Sequence, residues 1–344
     1  MPPDAASAFA PGRINLIGEH TDYNLGFALP FAIADGITAH AELVPGSETV
    51  DADAVDLGES DRFAVADPEP AEGWRAFARG IVAELRGAGV RVPGARVRFG
   101  GSVRTGAGMS SSAALEVALC LALRAISGED ELDRVAIAQL CSRVENEWVG
   151  ARTGLLDQLA SLYGARESAL RIDFRSLEIE QVPLRLGRWQ LATLDSGERH
   201  VHASSGYNER RAECARACEL LGIDSLRDVD PRSIEDLPPL LAARARHVVS
   251  ENERVLAAIA ALAADDMPAL AVLLNAAHAS LRDDYEASTP AVEGARERLL
   301  ESGAAGARMI GGGFGGSVLG LFPPGVAPPR EAMPVAPGPG AHLI

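Results

Sequence analysis

The chain has 344 residues, of which 47% are hydrophobic and 23% charged, values typical of a folded protein with two domains or one large one. Its 32 basic side chains are outnumbered by 48 acidic ones, which gives a net charge of −16 at pH 7 and a pI near 4.9. This net negative charge would repel the phosphates of nucleic acid and the headgroups of an anionic membrane, so we exclude both as partners.

Hydrophobic periodicity predicts a mixed N-terminal half. In chain order we expect strands at 13–17, 27–34 and 37–44, a weaker strand region at 50–65, a helix at 74–86, a strand at 95–99, and helices at 111–126 and 131–147. The strands predicted between residues 13 and 65 should form a mostly antiparallel sheet.

The second half is predicted to be mainly helical. Strand-like segments at 170–174, 176–186 and 189–195 precede helices at 207–221, 240–264, 267–284 and 291–302, and two strands then flank a glycine cluster. We place a domain boundary near residue 180, which gives domains 1–180 and 181–344. The predicted fold class is therefore α+β with two domains.

Lysine is absent, so all 32 basic residues are arginines. This excludes a Schiff-base lysine, a pyridoxal-phosphate anchor and a P-loop lysine. The four cysteines form no CxxC pair and have no histidine at metal-ligand spacing, so we expect neither disulfides nor structural zinc. The N-terminus lacks a secretory pattern and no apolar run could span a bilayer, so we expect a cytoplasmic protein.

Polar side chains crowd the segment 11–30, PGRINLIGEHTDYNLGFALP, directly after its apolar strand. Glu19, His20, Asp22, Tyr23 and Asn24 offer the mixture of donors and acceptors that recognition of a polyhydroxylated ligand requires. The solvated tip of a hairpin would explain the same composition about equally well.

Two glycine-rich segments are candidates for binding phosphate. The segment 106–116, GAGMSSSAALE, runs through three serines into a helix that Ser110 can cap, and its N–H and hydroxyl groups could hold phosphate and Mg²⁺ without a lysine. The segment 311–317, GGGFGGS, would be a tight turn if taken alone. Because it lies in the other half of the chain, it could close around the same ligand.

Asp157 lies in the first turn of a helix predicted within 153–164. A carboxylate there offsets the positive end of the helix dipole, which by itself would explain the residue. Beside an arginine and a phosphate acceptor, it would act as a base.

Taken together and in this order, the segments GRINLIGEHTDYN, GAGMSSSAALE, GLLDQ and GGGFGGS resemble those of the galactokinases, within the GHMP small-molecule kinase superfamily. The stretches SSGYNERRAEC, RHVVSENERV and SLRDDYE are also similar, so the resemblance covers residues 9–322. It implies a two-domain GHMP kinase fold with the active site in the cleft between the domains. The implied reaction transfers the γ-phosphate of MgATP to the C1 hydroxyl of α-D-galactose.

The resemblance gives the catalytic role to Asp157, with Arg13 beside it. The pair would orient the C1 hydroxyl, accept or share its proton, and offset charge on the transferring phosphoryl group. The implied sugar contacts are Glu19, His20, Asp22, Gly154 and Tyr207.

The nucleotide and the metal are assigned by the same resemblance, which implies ATP and Mg²⁺. The residues implied to bind phosphate are Gly106, Gly108, Ser110, Ser111 and Ser112. Ser112 and Glu145 would bind Mg²⁺, although a glutamate at 145 is also typical of an exposed helix face. The remaining partners would be small molecules, and we expect a monomer.

Three departures from the family pattern stand out. Arg104 replaces the usual proline before the serine segment, and Ile310 replaces the usual threonine before the glycine cluster. After Phe322 there is no room for the helix that normally precedes the last strand, which could leave a strand edge exposed or a core face uncovered.

Two alternatives to a galactokinase remain open. A related kinase acting on N-acetylgalactosamine, galacturonate or arabinose would differ in the pocket around C2 or C6. A galactose-sensing regulator would bind both ligands and signal through a partner. The uninterrupted SSSAA, together with Asp157 and Arg13, favours the enzyme.

Overall fold

The computed structural model describes residues 2–103, 108–129, 133–151, 153–198 and 203–344. Up to residue 183 the strands and α-helices are β1 (Ala5–Asn15), β2 (Phe27–Ala28), β3 (Pro30–Leu43), β4 (Thr49–Ala54), β5 (Glu59–Ala64), α1 (Trp74–Gly87), β6 (Ala95–Gly101), α2 (Ser111–Ile126), α3 (Arg134–Arg143), α4 (Leu156–Tyr163), β7 (Ser168–Asp173) and β8 (Glu178–Pro183). Beyond it they are β9 (Gln190–Asp195), α5 (Ala203–Leu221), α6 (Pro239–Ala263), α7 (Met267–Asp283), α8 (Pro290–Glu301), β10 (Gly306–Met309), β11 (Ser317–Phe322), β12 (Met333–Val335) and β13 (His342–Leu343).

The largest sheet has the strand order β13-β1-β3-β6-β4-β5. Its pairs are antiparallel except for β4 and β6, so the expected mostly antiparallel sheet is confirmed. The predicted boundaries were less accurate, because 37–44 and most of 27–34 form the single strand β3. Helix α2 packs across β1 and β3 with an almost wholly apolar, buried surface, which fixes the segment that precedes it over the sheet.

A second sheet, with the order β10-β11-β9-β12, is covered by α7 and α8. The glycine cluster connects β10 to β11, and its register is set by the antiparallel pairing of those two strands. Strands β2, β7 and β8 form a third sheet beside the loop that follows β1. The boundary near residue 180 stays a prediction.

Residues 323–332 form no helix, as the short linker predicts. The β12 strand pairs with β9, and Ala332 and Val335 are buried, so the β9 edge that could have been left open has a partner. The chain then returns to the largest sheet. The Gly338 N–H donates to the carbonyl of Ala32, and β13 pairs with β1 at Ala8 and Phe9.

Candidate active site

A cavity of about 420 Å³ lies where both halves of the chain meet. Its lining includes these residues of the predicted site: Arg13, Glu19, His20, Asp22, Gly108, Ser110, Ser111, Ser112, Glu145, Gly154, Asp157 and Tyr207. Gly106 and Arg104 lie outside the described residues. The structure thus brings together, around one cavity, the predicted site residues that it describes.

Arg13 and Asp157 form a close ion pair inside this cavity. Arg13 lies in β1 directly after a shift in its register with β3, and Asp157 lies in the first turn of α4. The Arg13 Nε donates to Asp157 Oδ1 at 2.8 Å, and Nη2 lies 2.7 Å from the same oxygen. The third guanidinium nitrogen, Nη1, donates to the carbonyl of Gly108 at 2.5 Å. Arg13 therefore ties the carboxylate of α4 to the loop that precedes α2.

Ser110 occupies the N-cap position of α2, but its hydroxyl does not cap the helix. It donates instead to Asp157 Oδ2. The backbone of Ser110 is left-handed, with φ 56° and ψ 52°, and this turns the hydroxyl away from the helix. The capping interaction expected for Ser110 was therefore wrong, and the first turn of α2 receives no cap from this side chain.

Glu145 is buried on a turn of π-helix, Val144–Val149, that continues α3. Ser112 Oγ donates to its Oε1 at 2.7 Å, while Thr153 Oγ1 at 2.6 Å and Gln158 Nε2 at 3.0 Å donate to Oε2. Burial raises the pKa of Glu145, and the negative charge of Asp157 raises it further. An exposed helix face, the alternative for this glutamate, is therefore excluded.

A second carboxylate, Glu116, lies fully buried behind Glu145. The Gln158 amide nitrogen bridges the two, donating to Glu116 Oε2 at 3.1 Å and to Glu145 Oε2. Burial raises the pKa of Glu116 well above its usual range, with the charge of Glu145 as the next cause. The sequence pattern indicates no role for Glu116 or Gln158, although Glu116 ends the segment 106–116 and Gln158 ends the segment GLLDQ.

The loop 18–26, which we call the sugar loop because the family resemblance implies that its side chains contact the sugar, carries Glu19 at the base of the cavity. Glu19 Oε1 accepts from the backbone N–H of Gly311 at 2.8 Å, and Oε2 accepts from Asn15 Nδ2 at 3.0 Å. Burial raises the pKa of Glu19, and the positive charge of Arg308, 3.3 Å away, opposes the shift. This carboxylate therefore joins the sugar loop to the start of the loop 311–316, which we call the glycine loop.

Asp22 faces Gly154 and Tyr207 across the cavity. The Tyr207 hydroxyl donates weakly to its two oxygens, at 3.4 and 3.3 Å. A β-carbon at position 154 would fall 2.0 Å from Asp22 Oδ2, so a side chain there would displace the Asp22 carboxylate. Burial raises the pKa of Asp22 to about 6. With long bonds to Tyr207, this carboxylate keeps lone pairs free for a ligand.

The glycine loop and the segment before α2 approach each other directly. A β-carbon on Gly311 would lie 3.7 Å from the carbonyl oxygen of Gly108, and both glycines have positive φ. Ile310, where the family resemblance would place threonine, is fully buried and packs in an apolar cluster with Leu16 and Leu319. Its side chain therefore serves the core of the protein.

Sequence reasoning missed the residues that support the sugar loop from below. Arg308 donates to the carbonyls of Asn15 and Leu16, and Glu251 accepts from the N–H of Gly18. His247 Nε2 donates to the Glu19 carbonyl at 3.1 Å. His247 and Glu251 belong to the stretch RHVVSENERV, for which the family resemblance implies no role. Nothing in the local sequence distinguishes Arg308 from a surface arginine.

Within the described ranges, no three histidine, cysteine, aspartate or glutamate side chains cluster closely enough to hold a metal ion. The Ser112 hydroxyl and the Glu145 carboxylate are, however, hard oxygen donors of the kind that Mg²⁺ takes together with phosphate oxygens. The donor set therefore fits Mg²⁺. Across the part of the chain that the structure describes, no helix combines the length and the apolar character needed to cross a membrane.

Comparison with known proteins identifies the superfamily to which the chain belongs. Residues 75–165 match the N-terminal domain model of the GHMP kinases, and residues 258–331 match their C-terminal model. A crystal structure of Methanococcus jannaschii mevalonate kinase superposes with a TM-score of 0.67 at 16% identity, covering 93% of this chain and 90% of that one, which supports the fold alone. The fold and the site therefore define a two-domain α+β GHMP kinase, an ATP-dependent phosphotransferase.

The family within this superfamily follows from closer relatives. Residues 2–42 match the galactokinase galactose-binding signature. Galactokinase from Mycobacterium tuberculosis is 44% identical over 332 residues, which cover 91% of this chain and 88% of that protein. Galactokinase from Streptomyces coelicolor is 41% identical, covering 90% and 82%. The structure of Lactococcus lactis galactokinase complexed with galactose superposes with a TM-score of 0.91 at 30% identity, covering 99% and 95%. The chain belongs to the galactokinase family.

Proposed function

We propose that this protein transfers the γ-phosphoryl group of ATP to the C1 hydroxyl of α-D-galactose, giving α-D-galactose 1-phosphate and ADP. The observation that carries the proposal is the Arg13–Asp157 pair at the meeting point of the sugar loop, the glycine loop and the segment before α2. A sugar hydroxyl beside Asp157 would lie next to the loop that receives the phosphates.

Asp157 would orient the C1 hydroxyl and take its proton on Oδ2, the oxygen that accepts from Ser110 in the described structure. Arg13 stays positively charged at any working pH and would offset the charge that builds on the phosphoryl oxygens. Phosphoryl transfer depends mainly on positioning and charge compensation, so a strong base is not required.

The sugar would lie among Glu19, His20, Asp22, Gly154 and Tyr207. Asp22 is the best acceptor for sugar hydroxyls, because its own hydrogen bonds to Tyr207 are long. An epimer with its C4 hydroxyl misplaced would leave a buried carboxylate without a partner, which is a costly mismatch.

The phosphates would bind at Gly106, Gly108, Ser110, Ser111 and Ser112. Ser112 and Glu145 would hold Mg²⁺, which when bound neutralises phosphate charge. Glu145 must be ionised to do so, and its hydrogen bonds from Ser112, Thr153 and Gln158 favour the ionised form.

We also propose that the protein acts as a monomer in the cytoplasm. All the residues assigned to the reaction come from one chain, and all four cysteines are free, as suits a reducing compartment. Size-exclusion chromatography with light scattering should give the mass of one chain, 36.0 kDa.

The test is ADP release from purified protein with MgATP and, in parallel, galactose, glucose, N-acetylgalactosamine or no sugar. Of these sugars, only galactose should strongly stimulate the release of ADP. Preference for another sugar would move the protein to a neighbouring kinase. No release with any sugar, in protein that galactose still stabilises against heat, would indicate a sensor and overturn the proposal.

A further inference from the structure

His20 has both of its ring nitrogens hydrogen-bonded within the protein. Nδ1 lies 2.8 Å from the Tyr23 hydroxyl, on its own side of the cavity. Nε2 lies 3.1 Å from the carbonyl oxygen of Gly312, in the glycine loop. The ring therefore spans from the sugar loop to the glycine loop, and neither nitrogen is left over for a ligand.

These partners determine the tautomer of the ring. A carbonyl oxygen can only accept, so Nε2 must carry a hydrogen and donate to Gly312. The ring is almost completely buried, and burial lowers the pKa of His20 to about 3, so the imidazole is neutral. Nδ1 is then an acceptor, and the Tyr23 hydroxyl must donate to it.

The direction of this bond sets the direction of two further hydrogen bonds. Because the Tyr23 hydroxyl donates to His20, it can only accept from the Tyr285 hydroxyl, 2.8 Å away. The Tyr285 hydroxyl in turn lies 3.1 Å from Cys214 Sγ and accepts from that thiol. Tyr285 follows α7 and Cys214 lies on α5, so this chain of hydrogen bonds connects the sugar loop to the second half of the protein.

The surroundings of His20 hold it in this position. Its backbone φ of 62° is left-handed, a strained conformation for a side chain of this size. Its ring packs against the rings of Tyr207 and Tyr285, with centroids 5.2 and 4.7 Å away. Glu19 and Asp22, the two carboxylates of the sugar loop, lie in the chain on either side of His20.

We propose that His20 is a positioning residue, held as the neutral Nε2–H tautomer by the Gly312 carbonyl and the Tyr23 hydroxyl, and that it fastens the sugar loop to the glycine loop. It then acts on the sugar and on the nucleotide together, because the glycine loop it holds also meets the segment before α2. For its kinetic consequences this inference rests on the proposed function.

Steady-state kinetics separate this role from a direct sugar contact. His20→Ala should raise the KM for ATP as well as for galactose and lower kcat, each by about tenfold, the equivalent of one buried hydrogen bond. His20→Gln, which can still donate to the Gly312 carbonyl, should recover part of the loss, whereas His20→Asn is too short to do so. His40→Ala, which removes an exposed histidine on β3, is the matched control and should behave as the parent. A rise confined to the galactose KM would overturn the proposal.

A second measurement needs neither substrate nor activity, so it stands even if the proposed function fails. In ¹⁵N-labelled, ligand-free protein, NMR at pH 6–8 should show non-titrating signals of histidines with a protonated Nε2 and an unprotonated Nδ1, from His20 and from the buried His247 and His278, whose Nε2 atoms also face acceptors. His20→Gln should remove one of these signals and so assign it to His20. Tyr23→Phe, which removes the donor to Nδ1 but leaves the ring buried, should shift that signal without changing the tautomer. An Nδ1–H tautomer, or an imidazolium form in this pH range, would overturn the proposal.

Discussion

Gly154 and Asp22 lie so close that a β-carbon on residue 154 would fall 2.0 Å from the Asp22 carboxylate. Gly154 comes from the segment before α4, and Asp22 from the sugar loop, so this approach brings the start of α4 against the sugar loop. The absence of a side chain at 154 therefore decides where the Asp22 carboxylate can lie.

Gly154→Ala should displace Asp22 by about 1 Å or more, because the new methyl group and the carboxylate oxygen cannot occupy the same space. A displacement of that size is expected to lower kcat/KM for galactose about a hundredfold. Binding of a nucleotide should be unaffected. Gly294→Ala, on an exposed turn of α8 with no atom near its β-carbon, is the matched control and should change only stability, by a gain of about 0.5–1 kcal/mol.

Asp157→Ala and Asp157→Asn should each lower kcat by about 10²–10⁴, since both remove the proton acceptor beside the C1 hydroxyl. ATP should still bind, which calorimetry would show. Asp236→Ala, an exposed aspartate remote from the cavity lining, serves as the control. Parent-level turnover in pure Asp157→Asn would contradict the assignment of Asp157 as the catalytic residue.

The raised pKa of Asp22, about 6, predicts how galactose affinity depends on pH. Above pH 6 the carboxylate is ionised and accepts from sugar hydroxyls. Below it the fraction ionised falls about tenfold per pH unit, so the galactose KM should rise in the same proportion. Asp22→Asn should show a high KM that does not follow this titration.

The raised pKa of Asp22 also predicts how the free energy of unfolding depends on pH. Because folding raises the pKa of Asp22 above its ordinary value of 3.8, the carboxyl group favours the folded state most below that value, and this contribution is lost as the pH rises through about 6. Asp22→Asn should therefore be more stable than the parent at pH 8 and match it near pH 4. Urea unfolding at the two pH values checks this, and a gain only at pH 4 would reverse the predicted sign.

Arg308→Met should destabilise the fold by about 3–5 kcal/mol, because it leaves the buried Glu19 carboxylate without its cation and two backbone carbonyls without a donor. Adding Glu19→Gln in the same chain should restore part of the loss, since the remaining amide is neutral. Arg232→Met, which removes an arginine whose side chain is 91% exposed, should leave the free energy of unfolding close to that of the parent. Equal losses for the two arginines would contradict the structural role given to Arg308.

The sequence alone was sufficient to predict the chemistry-bearing segments, because glycine and serine patterns and clustered polar residues leave local signals. The antiparallel sheet and the positions of α2 and α4 followed from periodicity. What could not be predicted depends on partners distant in the chain. Glu116 lies within an apolar helix, and only the packing of α2 against α4 shows that it is buried against Gln158. Arg308 lies within a strand, and only the packing of the two halves shows that it is buried against Glu19.

Side-chain direction was also beyond local inference. Ser110 stands at the N-cap position, as predicted, but its left-handed backbone sends the hydroxyl to Asp157. Glu145 lies on a turn of π-helix, which re-aims one carboxylate inward and has no clear sequence pattern.

The pairing of β13 with β1 has a consequence for dissecting the molecule. Residues 1–180 hold the serine segment, Asp157 and all but one of the residues assigned to the sugar, yet a fragment of that length would leave the outer edge of β1 unpaired at Ser7, Ala8 and Phe9. Such an edge recruits strands from other chains. A truncated N-terminal half should therefore aggregate when expressed alone, and supplying the segment 336–344 as a peptide should restore its solubility.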